Sequence, residues 1–277
     1  MTDTLQNKEK IRRGEPITAL GITFYPVTME RYEEWLFCRD ALCLRQSSLP
    51  VRYLPMDFFN AVFSFEIDSA EKGNKAGLFP RLLHCLCLCT GIEPTEENLS
   101  KMILPERKSN GRLAVIEIVI QQKTGTHKIT AQEFSRTVRP LIAFQNGLSL
   151  PDESANPDIL KDAEELNRRA AQSSPVKFDV DNLIASVAFQ SGLRERDLLM
   201  WTIREFENRK QAIDRDKRYM ICTQSEMSGM VTFKKGNPAP SWCFDLEDDT
   251  LGTVSLSDVQ KNSGGATLKP GASAPMT

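Results

Sequence analysis

Apolar residues recur at helical spacing over most of this chain and alternate at strand spacing in two short stretches. The longest pattern lies in the C-terminal half. No proline occurs between Val176 and Asn237. Proline breaks helix interiors, so long helices are permitted there. Within this span Leu199, Phe206, Ile213, Met220 and Met227 recur every seven residues, on one slowly drifting stripe of a helix. Only Ile203 widens the stripe, because Lys210, Lys217 and Gln224 take the matching later positions. Glu205 with Arg209, and Asp214 with Arg218, stand at i,i+4 in the favourable order on the other faces. The spacing predicts one helix from Arg194 to Ser228, roughly 50 Å long at about 1.5 Å per residue, stopped by Gly229.

Upstream, Ile17 to Tyr25 reads as a short strand with Ile22 and Phe24 on one side. Thr28 is a candidate cap for a helix running to about Arg45. A second helix follows Pro55 with Phe58, Phe59, Val62, Phe63 and Phe65, the expected core of the first domain. Leu78 to Thr90 predicts a third, with Pro80 in its first turn and Gly91 at its end. A short fourth spans Thr95 to Leu104 and stops at Pro105. Leu113 to Ile120 is a β-branched run and predicts a buried strand, with His127 to Ile129 as its partner across a turn. Thr130 and Glu133 form a capping-box pattern, opening a helix kinked or split at Pro140 and ending near Gly147. Further helices are expected from Asn156 to Gln172 and from Asp181 to Gln190, and Met230 to Phe233 reads as a short strand.

These elements predict a mainly α fold with a small β-hairpin. The expected divisions are a helical domain over 1–150 and a linker with a polar helix over 151–178. A C-terminal helical domain follows over 179–246, then a disordered tail over 247–277. The two prolines between Leu150 and Pro157 suggest the first boundary. The tail is inferred from its Gly, Ser, Ala, Pro and Thr content.

Charge narrows the function classes. The 277 residues carry a net charge of −2. Residues 1–150 hold 19 Lys+Arg against 17 Asp+Glu, and residues 151–277 hold 16 against 20. Neither half is basic, so no nucleic-acid partner is expected. No apolar run approaches the length of a membrane span, and no membrane partner is expected. The odd count of 7 cysteines, with no apolar leader at the N-terminus, suggests reduced thiols in a cytoplasmic protein.

Candidate chemistry is sparse. Leu82 to Cys89 places His84, Cys85, Cys87 and Cys89 close together, and zinc favours such ligands. On a helix only Cys85 and Cys89 share a face, so a buried apolar role is the plainer reading. His84 and His127 are the only histidines, one in an apolar run and one near a turn. Neither GxGxxG nor GxxxxGK[ST] occurs. The expectation is a protein that is no enzyme, with no cofactor and no metal. The remaining candidates are partner-binding. The methionines Met220 and Met227 lie where the stripe narrows, and methionine adapts to varied partners. Trp242 and Phe244 follow a segment rich in proline and glycine. These two rings either fold back on the long helix or form an aromatic hook for a partner.

The chain resembles proteins of the tail modules of tailed bacteriophages and prophages, most of all the tail assembly chaperones. The resemblance rests on Arg45-Gln46-Ser47-Ser48-Leu49-Pro50 after an amphipathic helix. It rests also on Glu226-Met227-Ser228-Gly229-Met230-Val231-Thr232-Phe233, then Gly236-Asn237-Pro238 and Pro240-Ser241-Trp242. It implies a non-catalytic helical protein of the host cytoplasm that covers the tape-measure protein and recruits tail-tube subunits, leaving before the particle is finished. Many members are shorter. The alternatives are a structural tail or baseplate component of the virion and, further off, an enzyme or a nucleic-acid-binding regulator.

Overall fold

The computed structural model describes residues 2–74, 76–107, 113–153, 179–229, 231–233 and 237–244. The expected polar helix over 156–172 and the tail over 247–277 lie outside these residues. The fold is mainly α, with two small antiparallel sheets. Among the described residues no helix is long and apolar enough to cross a membrane.

Helix α1 (Thr2–Arg12) leads into a hairpin of β1 (Ile17–Ala19) and β2 (Ile22–Phe24). The single strand expected over 17–25 is therefore two, because Leu20-Gly21 turns the chain. Both turn residues have positive φ, 53° and 78°, as a two-residue hairpin loop of type I′ requires. Glycine takes that conformation freely, but leucine does so at a cost of about 1–2 kcal/mol. Leu20 is exposed, so little packing offsets the strain. Leu20→Asn is expected to stabilise the protein by about 1 kcal/mol and raise the melting temperature by a few degrees. Thermal denaturation checks this, and a lowered melting temperature would mean that the leucine side chain contributes more than its backbone costs.

Thr28 does not cap a helix with its side chain. A 3-10 turn, Met29–Arg31, precedes α2 (Tyr32–Leu42). α3 (Phe58–Glu71) is capped by Asp57, whose side chain accepts from Asn60 N. Glu66 of α3 accepts from the N–H groups of Gly77, Leu78 and Phe79, closing the open start of α4 (Leu78–Thr90). Gly91 ends α4 in the left-handed conformation, as its place after the apolar run implies. Phe59, Phe63, Phe79 and Phe134 stack edge to face with centroids 4.8–5.2 Å apart, forming the aromatic centre of the core.

α5 (Glu96–Lys101) is shorter than expected, and β3 (Ile103–Arg107) follows it directly. Pro105, which reads as a helix stop, sits in this strand. β3 lies at the edge of the sheet β3-β4-β5, where a missing N–H is tolerated. β4 (Leu113–Gln122) pairs with β3 and with β5 (Gly125–Thr130). The β3–β4 register steps from Leu104↔Glu117 to Pro105↔Val115, skipping Ile116. That bulge turns Val115 inward and Ile116 out to solvent. β5 has already ended, and Asn60 of α3 takes its place. Its amide donates to Val115 O (3.1 Å) and its Oδ1 accepts from Val115 N (2.8 Å), the pattern of a strand partner.

The Thr130/Glu133 capping box forms as expected and opens α6 (Ala131–Glu133). A π turn, Phe134–Val138, separates it from α7 (Arg139–Gln145), which puts the expected break just ahead of Pro140. After residue 178 the chain forms α8 (Val180–Ser191), closed by Gly192, then α9 (Glu195–Leu199) and α10 (Ile203–Met227). The single helix expected from Arg194 to Ser228 is thus broken at Met200–Thr202. Met29 N donates to Trp201 O and Ile203 N to Val27 O, holding Thr202 extended against Thr28. Thr202 and Glu205 then cap α10 reciprocally: Glu205 N donates to Thr202 Oγ1, and Thr202 N to Glu205 Oε2. α10 is about 37 Å long at about 1.5 Å per residue.

Ile184, Val187, Ala188, Leu198, Ile203 and Phe206 share one buried cluster with Trp35, Phe59 and Phe134. The compact units accordingly run over 1–214 and 215–277, with the boundary inside α10. The boundary near residue 150 that its prolines suggest, and a separate domain over 179–246, are not how the described residues cluster. Apolar side chains on α8 to α10 complete the first core.

Candidate functional site

The stripe on α10 changes character along its length. Phe206 is fully buried and its ring lies 6.3 Å from that of Tyr32. Ile213 is partly buried. Met220 is 49% exposed and Met227 83% exposed, and Ile221 beside them is exposed too. Leu199, the first position of the seven-residue spacing, belongs to α9 and not to this helix. One face of α10 therefore serves the core at its start and solvent at its end.

In the second unit, residues 237–244 return along α10. Asn237 Nδ2 donates to Glu226 Oε2 (3.2 Å), and Arg215 Nη1 to Cys243 O (3.1 Å). The two anchors lie eleven helical positions apart, about 16 Å at about 1.5 Å per residue. Local side-chain caps shape the segment. Asn237 Oδ1 accepts from Ala239 N, and Ser241 Oγ accepts from the N–H groups of Cys243 and Phe244. The fold-back is made by polar contacts. The rings are left outside: Trp242 is 60% and Phe244 78% exposed. The expected strand at Met230–Phe233 is not formed over Val231–Phe233, which are irregular, and Met230 lies outside the described residues. Met220, Ile221, Met227, Val231, Trp242 and Phe244 thus give this unit a concentration of exposed large apolar side chains.

Exposed apolar residues that the sequence reading did not single out include Phe189 of α8, Met200 after α9 and Val51. A signal existed for the first: it follows Ala188 by about 100° on the helix and so falls off the Ile184/Val187/Ala188 face.

The motif Arg45 to Pro50 has a structural explanation. Gln46 Nε2 donates to the carbonyls of Tyr53, Leu54 and Met56, pinning the following loop. Glu153 accepts from Gln46 N and Ser47 N. His84 lies 3.2 Å from Glu34, which also accepts two bonds from Arg31. Those contacts, the Arg31 bonds foremost, hold the Glu34 carboxyl below the usual range. His127 Nε2 lies 3.4 Å from Thr124 Oγ1. Among the described residues no group of three His, Cys, Asp or Glu is arranged to hold a metal.

The cysteines are free, with Cys38, Cys85, Cys87 and Cys89 buried. The Cys85 thiol is held in its protonated form by hydrogen bonds with Cys38 and Cys89 and by burial. Burial pushes the Cys87 thiol up to about 12. The thiolate is the reactive form, so these groups are inert in the fold. A disulfide reagent at neutral pH is expected to label exposed Cys243 first and the half-buried Cys43 and Cys222 more slowly. The four core thiols should react only on unfolding. Peptide mapping of the label checks the order, and early labelling of Cys85 would show that α4 opens locally.

Comparison with protein-family models, with curated proteins and with solved structures finds no match.

Proposed function

We propose that this chain is a non-catalytic tail assembly chaperone of a tailed bacteriophage or prophage. Its partner surface is the apolar patch of the second unit, from Met220 to Phe244. The observation that carries the partner surface is the exposure of Met220 and Met227 on α10, and of Trp242 and Phe244 on the segment that polar bonds hold to it. The assignment to tail assembly comes from the sequence resemblance. A tape-measure protein is a long helical chain that needs apolar surface covered until the tube closes around it. An exposed stripe rich in methionine and aromatic residues fits an amphipathic helix of variable sequence.

The test is co-expression with the tape-measure and tail-tube proteins of the same gene cluster. The wild-type chain should co-purify with the tape-measure protein. Met220→Asp combined with Trp242→Ser should not, while its melting temperature stays unchanged. Mass spectrometry of finished particles should miss the chain. A stoichiometric amount in particles would instead establish a structural tail or baseplate component, and normal co-purification of the double variant would reject the patch.

A further inference from the structure

A second, separate surface lies in the first unit, where β3 stops short of the end of β4. Beyond the Ile103↔Ile118 pair, Val119 N donates to Met102 O (2.8 Å), and the chain of β3 has by then turned back into α5. Hydrogen-bonding direction alternates along a strand. Val119 faces the β3 side, so Gln121, two residues on, also faces its N–H and C=O to that side. Its pairing with Thr126 of β5 is then a non-hydrogen-bonded one. Among the described residues no chain continues β3 beside Gln121. In its place is a cleft of about 550 Å³.

The walls of the cleft suit a strand-like guest. Ile92 and Met102 line it with apolar surface, together with the half-exposed Tyr25. Gly91 is left-handed there, and a Cβ on it would meet the Tyr25 ring at 3.5 Å. The charged side chains of the lining are Lys101 and Lys123, with no carboxylate among them. Lys101 also pairs with Glu97, an exposed i,i+4 contact that contributes little. We propose that this cleft binds an extended, carboxylate-bearing segment of another polypeptide, which continues the line of β3 along β4. The guest backbone would pair with the Gln121 N–H and C=O, and its carboxylate would meet Lys123. This inference is independent of the patch on α10.

The probe is a library of random short peptides selected against the full chain, with affinities then measured by fluorescence anisotropy. Acidic sequences with alternating apolar residues are expected. Lys123→Glu should weaken them at least about tenfold, roughly 1.4 kcal/mol. Gln121→Pro should weaken them as much, because it deletes the N–H that faces the cleft. Among the described residues that N–H meets no strand partner, so the melting temperature should hold. Lys128→Glu, a charge reversal on β5 outside the cleft lining, should leave binding intact. The inference is overturned if selection yields no binder or if the peptides bind both cleft variants like wild type. It is overturned equally if Lys123→Glu abolishes binding while Gln121→Pro does not, since the guest would then be held by charge without using the strand edge.

Discussion

Asn60→Leu is expected to lower the melting temperature by roughly 10 °C, although leucine is similar in size and the site is buried. The reason is the β-bulge at Ile116. Once the register skips that residue, Val115 turns its N–H and C=O away from β3, toward the side that β5 has already left. Val115 is buried, so water cannot replace the missing strand. The Asn60 amide bonds both groups, at 2.8 and 3.1 Å, while its Nδ2 also donates to Asp57 Oδ2. Leucine would leave two backbone groups unpaired, at about 1–3 kcal/mol each, and each kcal/mol moves the midpoint by about 2–4 °C in a protein of this size. Asn60→Asp should be nearly as damaging, because a carboxylate oxygen would face Val115 O and lie beside the Asp57 carboxylate. Circular dichroism melting checks both. A loss below about 2 °C would mean that water or a shifted β3 reaches Val115.

The same corner marks where the sequence stops being legible. Helices with local punctuation could be read from it: Gly91 and Gly192 end α4 and α8, and the Thr130/Glu133 box opens α6. Those signals act within a few residues of where they stand. β3 could not be read, because Pro105 stops a helix as readily as it tolerates a sheet edge, and only the neighbouring strand decides which. The bulge at Ile116 depends on that strand as well. The break before α10 was legible in part, since Thr202 and Glu205 have capping-box spacing. The apolar period across Leu199 and Phe206 masked it. What holds Thr202 extended is Val27 and Met29, far away in sequence. The exposed candidates Met220, Met227, Trp242 and Phe244 were visible as residues in a narrowing stripe and after a proline-rich turn. The cleft at Gln121 was not, because an open strand edge is a property of where another strand ends.

Phe206→Ala and Met227→Asp, both on the same seven-residue stripe of α10, are expected to differ sharply in cost. Phe206 is fully buried against Tyr32 within the main core. Truncating a buried phenylalanine removes its transfer energy and leaves a cavity, for a loss of about 3–5 kcal/mol. Tyr32 would feel the change directly, since its hydroxyl donates to Glu207, the residue after Phe206, at 3.2 Å. That contact is partly buried, and burial first, then the Glu207 charge, pushes the Tyr32 hydroxyl up to about 12. Met227 is 83% exposed, so an aspartate there stays hydrated, and the change should fall within about 0.5 kcal/mol of neutral. Urea denaturation of the two variants measures the contrast. If Met227→Asp is as costly as Phe206→Ala, the end of the stripe is covered in solution and is no free surface for a partner. If Phe206→Ala is harmless, the start of α10 does not belong to the core. The expected result is a steep loss at Phe206 and none at Met227, which divides α10 into a helix end that holds the first unit together and one that remains open.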